Sequence, residues 1–310
     1  MNIYSKAGAA ALSVGSNTLL VLLKIVAGLV TGSVSILAEA IHSLVDLVAS
    51  LIAFFSVRIA GHPADEEHPF GHGKAENIAG TVEGALIFLA AGLIIYEAVK
   101  KVRFGVTIEL AEVGLVVMLV SVIANILVSR HLYRIARATD SLALEADADH
   151  LRTDVYTSLG VLLGLLAIRL SMLFGGGEAF TILDPLVAMG VALLIVKTAY
   201  KITRKSVAGL LDTRLPAEEE DRIKESIEEH YQELVGFHAL RTRKAGGQRH
   251  IDLHLVMAKS VSLEEAHRIC DHLEEDIEDK LSQTSVVIHC EPCDSECEHC
   301  SVICSEQDTP

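Results

Sequence analysis

The feature that most constrains this chain is a pair of ionisable residues set inside apolar sequence, and set there twice. Residues 38–46 read AEAIHSLVD and residues 146–154 read ADADHLRTD, so His42 with Asp46 and His150 with Asp154 share one i, i+4 spacing. Four residues on a helix advance about 400°, which puts each pair on one face, a single turn apart. An ionisable side chain in a bilayer costs about 3 kcal/mol or more unless it finds a partner, and here there are four. Two such helices side by side offer two imidazoles and two carboxylates to one point. That N2O2 set suits a tetrahedral divalent ion, zinc above all. Spacing by itself is not diagnostic: His267 with Asp271 and His272 with Asp276 repeat it in a segment that reads as a solvated helix. The apolar setting carries the weight.

That setting extends over the first two-thirds of the chain. Uncharged runs recur at 7–23, 25–38, 84–96, 113–129, 155–168 and 185–196, each continuing through a flanking polar residue toward the roughly 20 residues of a membrane span. Stretches such as ALIFLAAGLIIY lack the polar face a soluble bundle needs. Mean hydropathy is +0.41, and the reading is six transmembrane helices over residues 1–212. Met1 to Thr31 carries only Lys6 before its apolar run and no small-residue cleavage signal, which reads as a retained first span. Gly28 with Gly32 and Gly160 with Gly164 supply small-xxx-small spacing for close helix approach.

Positive residues set the orientation. Arg130, Arg134 and Arg137 follow span four, and Lys201, Arg204 and Lys205 follow span six, so those ends are read as cytoplasmic. Lys100, Lys101 and Arg103 run against this and are accepted as an exception. Both termini are then cytoplasmic, in a multi-pass protein of the cell inner membrane. Antiparallel packing of spans two and five sets His42 level with Asp154 and Asp46 level with His150, about 15 Å from either surface. Glu39, Asp147 and Asp149 read as solvated helix-end acids.

From Thr213 onward there are 23 acidic and 10 basic side chains, a net of −13 out of −15 for the whole chain. This disfavours nucleic acid and anionic lipid as partners and suits cations. Helical periodicity at 217–234 and 262–281 flanks and follows strand-like alternation at 237–243 and 250–257, joined by Gly246 and Gly247, with a last strand at 285–289. The order αββαβ predicts a small cytosolic α+β domain over 213–289, ferredoxin-like or metallochaperone-like. All six cysteines follow residue 269; in a cytosolic domain they stay reduced and bind metals. Residues 290–310 are read as a Cys-rich tail.

These motifs resemble the cation diffusion facilitator family of proton-coupled zinc and divalent-metal exporters. The resemblance rests on six spans, HSLVD in span two, HPFGHGKAE after it, DHLRTD in span five and the αββαβ tail. It implies a homodimer with His42, Asp46, His150 and Asp154 as the transport site. Some bacterial relatives carry Asp in place of the first His; His, as here, marks the zinc-selective vesicular branch. The resemblance further implies a loop metal site at Asp65, His68 and His72, and a charge pair between Lys74 and Asp212. It also implies a binuclear cytosolic zinc site at His238, His254, His267, His289 and Glu291, where relatives often have Asp at the last position.

The tail CEPCDSECEHCSVIC departs from the family pattern. Cys290, Cys293, Cys297, Cys300 and Cys304 form two CxxC pairs and a further cysteine, with His299 among them. This suits extra zinc, copper-like ions or an iron–sulfur cluster, or a reduced tail without metal. Cys270 reads as a buried helix residue.

Imidazole binds metal only when neutral, so protons and metal compete for the same ligands, and a site opening alternately to each side exchanges one for the other. His150, reached from the cytoplasmic mouth, is the expected principal proton carrier. No nucleophile triad, phosphate loop or nucleotide motif appears, so the chain reads as a transporter with no organic cofactor and not as an enzyme. Zn2+ is the expected substrate and regulatory ion. Export of Fe2+, Mn2+, Co2+ or Cd2+ by the same fold, or a membrane-anchored metal-sensing scaffold without transport, stand as alternatives.

Overall fold

The computed structural model describes residues 3–31, 34–104, 112–173, 183–230 and 234–293. Six long helices come first: α1 (Lys6–Thr31), α2 (Val34–Ala60), α3 (Lys74–Phe104), α4 (Glu112–Thr139), α5 (Leu142–Leu173) and α6 (Leu183–Leu210). Among the described residues, Lys6–Val30, Ala40–Ala60, Lys74–Lys100 and Val116–Thr139 are each long and apolar enough to cross a membrane. With 32 and 28 residues, α5 and α6 also exceed the roughly 30 Å hydrocarbon thickness.

Lys24, which divides the first two uncharged runs, is not a helix break. It lies inside α1, 6% exposed, and donates from Nζ to Ser43 Oγ on α2 at 2.7 Å. With its charge answered inside the bundle, the helix can run on to Thr31.

Small residues let these helices pack closely. A Cβ on Gly28 would stand 2.7 Å from Leu37 Cδ2, so the close approach expected there joins α1 to α2. A second close approach was not read from the sequence: Cβ atoms on Gly80 and Gly84 of α3 would collide with Ser206 and Thr203 of α6. Ala9, Ala10, Val57, Ala79, Leu132, Leu144 and Leu151 form an alanine-rich core between α1, α2, α3, α4 and α5. Glu76 ties one end of this bundle together. Its carboxylate accepts from Lys6 Nζ at 3.3 Å, from Ser141 Oγ at 2.7 Å and from the Ala143 N–H at 3.3 Å. The last of these caps an otherwise unpaired donor in the first turn of α5.

The chain divides into two compact units, Met1–Val207 and Ala208–Pro310. The second holds α7 (Ala217–Glu229), β1 (Gly236–Ala245), β2 (Gln248–Met257), α8 (Leu263–Lys280) and β3 (Thr284–Pro292), the expected αββαβ order. The sheet runs β1-β2-β3, with β1 antiparallel and β3 parallel to β2. Gly246, at φ 60, makes the tight β1–β2 turn in a conformation that glycine adopts without steric cost. Ile251, Leu253, Leu255 and Met257 alternate along β2 onto one face and pack against Ile269, Leu273 and Ile277 of α8. Ser262 caps α8, its Oγ accepting the Glu265 N–H at 3.2 Å. Because both helices cover that face, the even-numbered residues of β2 look out from the other.

In the second unit two element boundaries differ from the sequence reading by three residues or more. Among the described residues α7 ends at Glu229, five short of the expected 234. β3 continues past 289 to Pro292, because Cys290, Glu291 and Pro292 keep pairing with Leu255, Val256 and Met257.

Candidate metal centres

His42 and Asp46 lie one turn apart on α2, and His150 and Asp154 one turn apart on α5. The two helices pack against each other and the pairs meet. His42, Asp46 and Asp154 each offer a ligand atom, all within 4.8 Å of one another. His150 joins through Asp46, its Nε2 3.2 Å from Asp46 Oδ1. Convergence of all four is therefore incomplete: three ligand atoms cluster, and His150 is turned onto the aspartate. His150 Nδ1 and Asp154 Oδ2 are buried with no hydrogen-bond partner among the described residues. Leaving such an atom unpaired costs about 1–3 kcal/mol, more where charge is involved. A divalent cation or a proton at this point relieves it.

Several neighbours carry no motif. Asn17 Nδ2 of α1 donates to the Asp46 carbonyl at 3.4 Å, and Lys24 stands close enough to both aspartates to offset their charge. Glu83 of α3 and Asp147 of α5 are 0% exposed, and all four of their carboxylate oxygens are unpartnered among the described residues. Asp147 and Asp149, expected at a solvated helix end, are instead buried. α5 starts at Leu142, so both already lie past its first turn on a packed stretch. The side chain of Glu39 lies outside the described residues. The available signal for Glu83 was its place directly before the uncharged run 84–96.

Asp65, His68 and His72 come together in the loop between α2 and α3. Asp65 Oδ1 accepts the backbone N–H groups of His68 at 2.6 Å and Glu67 at 3.1 Å, while Oδ2 lies 3.3 Å from His72 Nε2. The His68 backbone bond, more than any other contact, holds the Asp65 carboxyl below its ordinary range. The two rings are 4.4 Å apart, and His72 Nδ1 is buried without a partner among the described residues.

In the second unit, strand register builds a ladder of three imidazoles. His238 pairs with His254 across β1–β2, and His254 with His289 across β2–β3, with ring centroids 5.0 and 4.9 Å apart. Glu291, two residues after His289, returns to the same face. Its carboxylate lies 3.0 Å from His238 Nε2, 2.7 Å from His254 Nδ1 and 3.6 Å from His289 Nε2. The contact with His238, then that with His254, lowers the Glu291 carboxyl. A bulge between His238 and Arg241, with Ala239 at φ 50, follows this ligand directly. Bulges re-aim side chains, and an alanine at positive φ gives no sequence signal.

His267 is not brought to this group. The Ala266, Ile269, Cys270, Leu273 and Ile277 side of α8 packs on the opposite face of the sheet, and His267 points to solvent, 76% exposed, 3.4 Å from Asp271. The helix period that buries its neighbours turns it outward. Within one chain the group consists of His238, His254 and Glu291, with His289 beside them.

Cys290 and Cys293 belong to the domain rather than to a tail. Cys290 sits on β3 with its Sγ 2.9 Å from Cys270 Sγ, and Cys293 is 3% exposed with its N–H donating to the Met257 carbonyl at 2.8 Å. Burial first, then the Cys290 contact, pushes the Cys270 thiol up to about 12, so it stays protonated at neutral pH. Cys297, His299, Cys300 and Cys304 lie outside the described residues. Lys74 opens α3, while Asp212, at the start of the second unit, has Arg243 3.6 Å from its Oδ1.

Family models match almost the entire chain: the cation efflux transmembrane domain over residues 10–211 and the cation efflux protein cytoplasmic domain over residues 215–293. A transporter of Synechocystis sp., itself uncharacterised, is 34% identical over 283 residues, 91% of this chain and 89% of that protein. The cation-efflux pump FieF of Pectobacterium atrosepticum is 36% identical over 273 residues, 88% of each chain. A solved chain of CzrB is 36% identical, covering 98% of that chain and 26% of this one, with a TM-score of 0.25.

Proposed function

The chain belongs to the cation efflux family, and from that premise we propose that it exports zinc from the cytosol in exchange for protons, as a homodimer in the inner membrane. Members of this family are transporters. The reading of this chain's cargo and coupling rests on one observation: α2 and α5 bring His42, Asp46 and Asp154 within 4.8 Å of one another, with His150 bonded to Asp46. Two imidazoles and two carboxylates match the preference of zinc for mixed N and O donors in a tetrahedron.

Each donor that holds the metal also holds a proton, so binding one displaces the other. Release of His150 from Asp46 toward the three-atom group would complete the tetrahedron; protonation would favour its return. Alternating exposure of the site to the two sides then couples outward zinc to inward protons. On the orientation set by the basic loops, the Asp65–His68–His72 loop faces the cytosol and serves as an intake for the ion. The His238–His254–His289–Glu291 face holds regulatory zinc where two protomers meet.

The test is zinc flux into proteoliposomes under an imposed pH gradient, with Asp154→Ala as the control and Fe2+, Mn2+, Co2+ and Cd2+ as competitors. Flux that needs both the gradient and Asp154 supports zinc–proton exchange. Flux indifferent to the gradient overturns the coupling, preferential flux of a competitor replaces the cargo, and binding without flux favours a sensing scaffold.

A further inference from the structure

A pocket of about 600 Å³ opens between α4 and α5, lined by Arg130, Arg134 and Arg137 from one helix and Arg152 from the other, with Tyr133 and Tyr156 between them. The α4 arginines fall at i, i+4 and i+7 and so share one face. Arg137 and Arg152 stack on the Tyr133 ring at 4.8 and 5.4 Å. Arg152 also lies 3.5 Å from Asp149 and 3.4 Å from the Tyr156 hydroxyl. Among the described residues no carboxylate comes within ion-pair distance of Arg130, Arg134 or Arg137.

We propose that this pocket binds a phosphate group, carried by an anionic phospholipid headgroup or free in solution. Three guanidinium groups without counter-charges, held beside a fourth, repel one another until an anion enters. Guanidinium forks match phosphate oxygens bidentately, and the rings that hold two of the forks limit the freedom lost on binding. Residues 1–212 carry only −2 of the chain's net charge of −15, and this pocket gathers four of their arginines.

Position favours a headgroup. Arginine in the hydrocarbon is costly, so four together mark the interfacial level of the helices, where tyrosine is also at home. Basic pockets between membrane helices on the cytoplasmic side hold anionic headgroups. Arg152 follows His150 by two residues, about 3 Å along α5. The phosphate therefore sits on the helix that carries His150 and Asp154.

The test uses the full-length protein in detergent, titrated with phosphatidylglycerol, phosphatidylcholine or inorganic phosphate and read by native mass spectrometry. Arg130→Gln, Arg134→Gln and Arg137→Gln are made singly and together; the single variants keep the test valid should the triple variant misfold. Affinity for the anionic ligand is expected to fall about fivefold for each arginine removed. Phosphatidylglycerol retained over phosphatidylcholine, and lost in the variants, assigns the site to lipid. Arginine-dependent binding of inorganic phosphate with no preference between the lipids assigns it to free phosphate. Equal retention of every ligand by the parent chain and the single variants overturns the proposal.

Discussion

The membrane group and the cytosolic group draw on the same donors, imidazole and carboxylate, but engage them differently. In the membrane, His150 Nδ1 and Asp154 Oδ2 are buried without a protein partner, and the nearby Glu83 and Asp147 leave four more oxygens unmatched among the described residues. In the cytosolic unit, Glu291 is held by His238 and His254 at 3.0 and 2.7 Å, on an open sheet face. An unmatched buried acceptor creates a demand for a cation that solvent cannot meet, whereas a partly exposed, hydrogen-bonded carboxylate does not. A site that must load and unload benefits from the first arrangement; one that only reports on metal can use the second.

The sharpest way to break this contrast is to remove one carboxylate from each group. Asp154→Ala is expected to lower zinc flux in proteoliposomes by about 100-fold or more, since it removes a direct ligand where outer-shell losses already cost 10–100-fold. Glu291→Ala is expected to lower flux only a few-fold. Comparable losses from the two variants would mean that both groups lie on the transport path.

Binding should show the reverse dependence. In an Asp65→Ala, Asp154→Ala background, which removes the loop and membrane groups, Glu291→Ala is expected to weaken zinc binding about 10- to 100-fold by calorimetry. The group then has a pH dependence of definite sign. Hydrogen bonds hold the Glu291 carboxyl below its ordinary range, so it stays ionised through neutrality and its stabilising contacts persist above about pH 4.3. Those contacts are lost only as pH falls through the depressed value. Zinc loss on mild acidification therefore belongs to the imidazoles, which bind metal only when neutral. Zinc affinity should drop on mild acidification, while the difference in thermal midpoint between Glu291→Gln and the parent chain persists there and closes only in stronger acid. Closure of that difference on mild acidification would mean that the Glu291 carboxyl is not held below its ordinary range.

How legible each group was in the sequence follows from its geometry. The membrane pairs repeat within single helices, and an i, i+4 interval can be read directly from the chain; the apolar surroundings separated them from His267 with Asp271. Cytosolic residues as far apart as His238 and Glu291 meet only through strand register, which no local pattern fixes, and a bulge at Ala239 adds a further shift. Resemblance supplied those positions, and it could not say which way α8 would turn His267. Residues without a motif escaped altogether. Lys24 fell between two uncharged runs, Asp147 read as a solvated helix end, and Glu83 carried no motif, because burial is a property of neighbours and all three acquire it from packing among α1, α2, α3 and α5. The paired contact of Cys290 with Cys270 was missed for the same reason, since β3 had been expected to stop one residue before it.

The smallest effect asks whether the cytosolic group is complete. Within one chain His267 lies on the outer side of α8, 76% exposed, while the other histidines line the far face of the sheet. If the group is closed within a protomer, His267→Ala in the Asp65→Ala, Asp154→Ala background should change zinc affinity by less than about twofold, because only exposed side-chain contacts are lost. A loss as large as that from Glu291→Ala would mean that a second copy of the chain presents its own His267 to the open sheet face. Zinc would then bridge two protomers, and dimer affinity should rise with zinc in the parent chain but not in the variant. The membrane group offers no such option. Its ligands are held by two helices of a single chain, whereas the effect of one alanine substitution on α8 can separate a cytosolic site closed within a protomer from one shared between two.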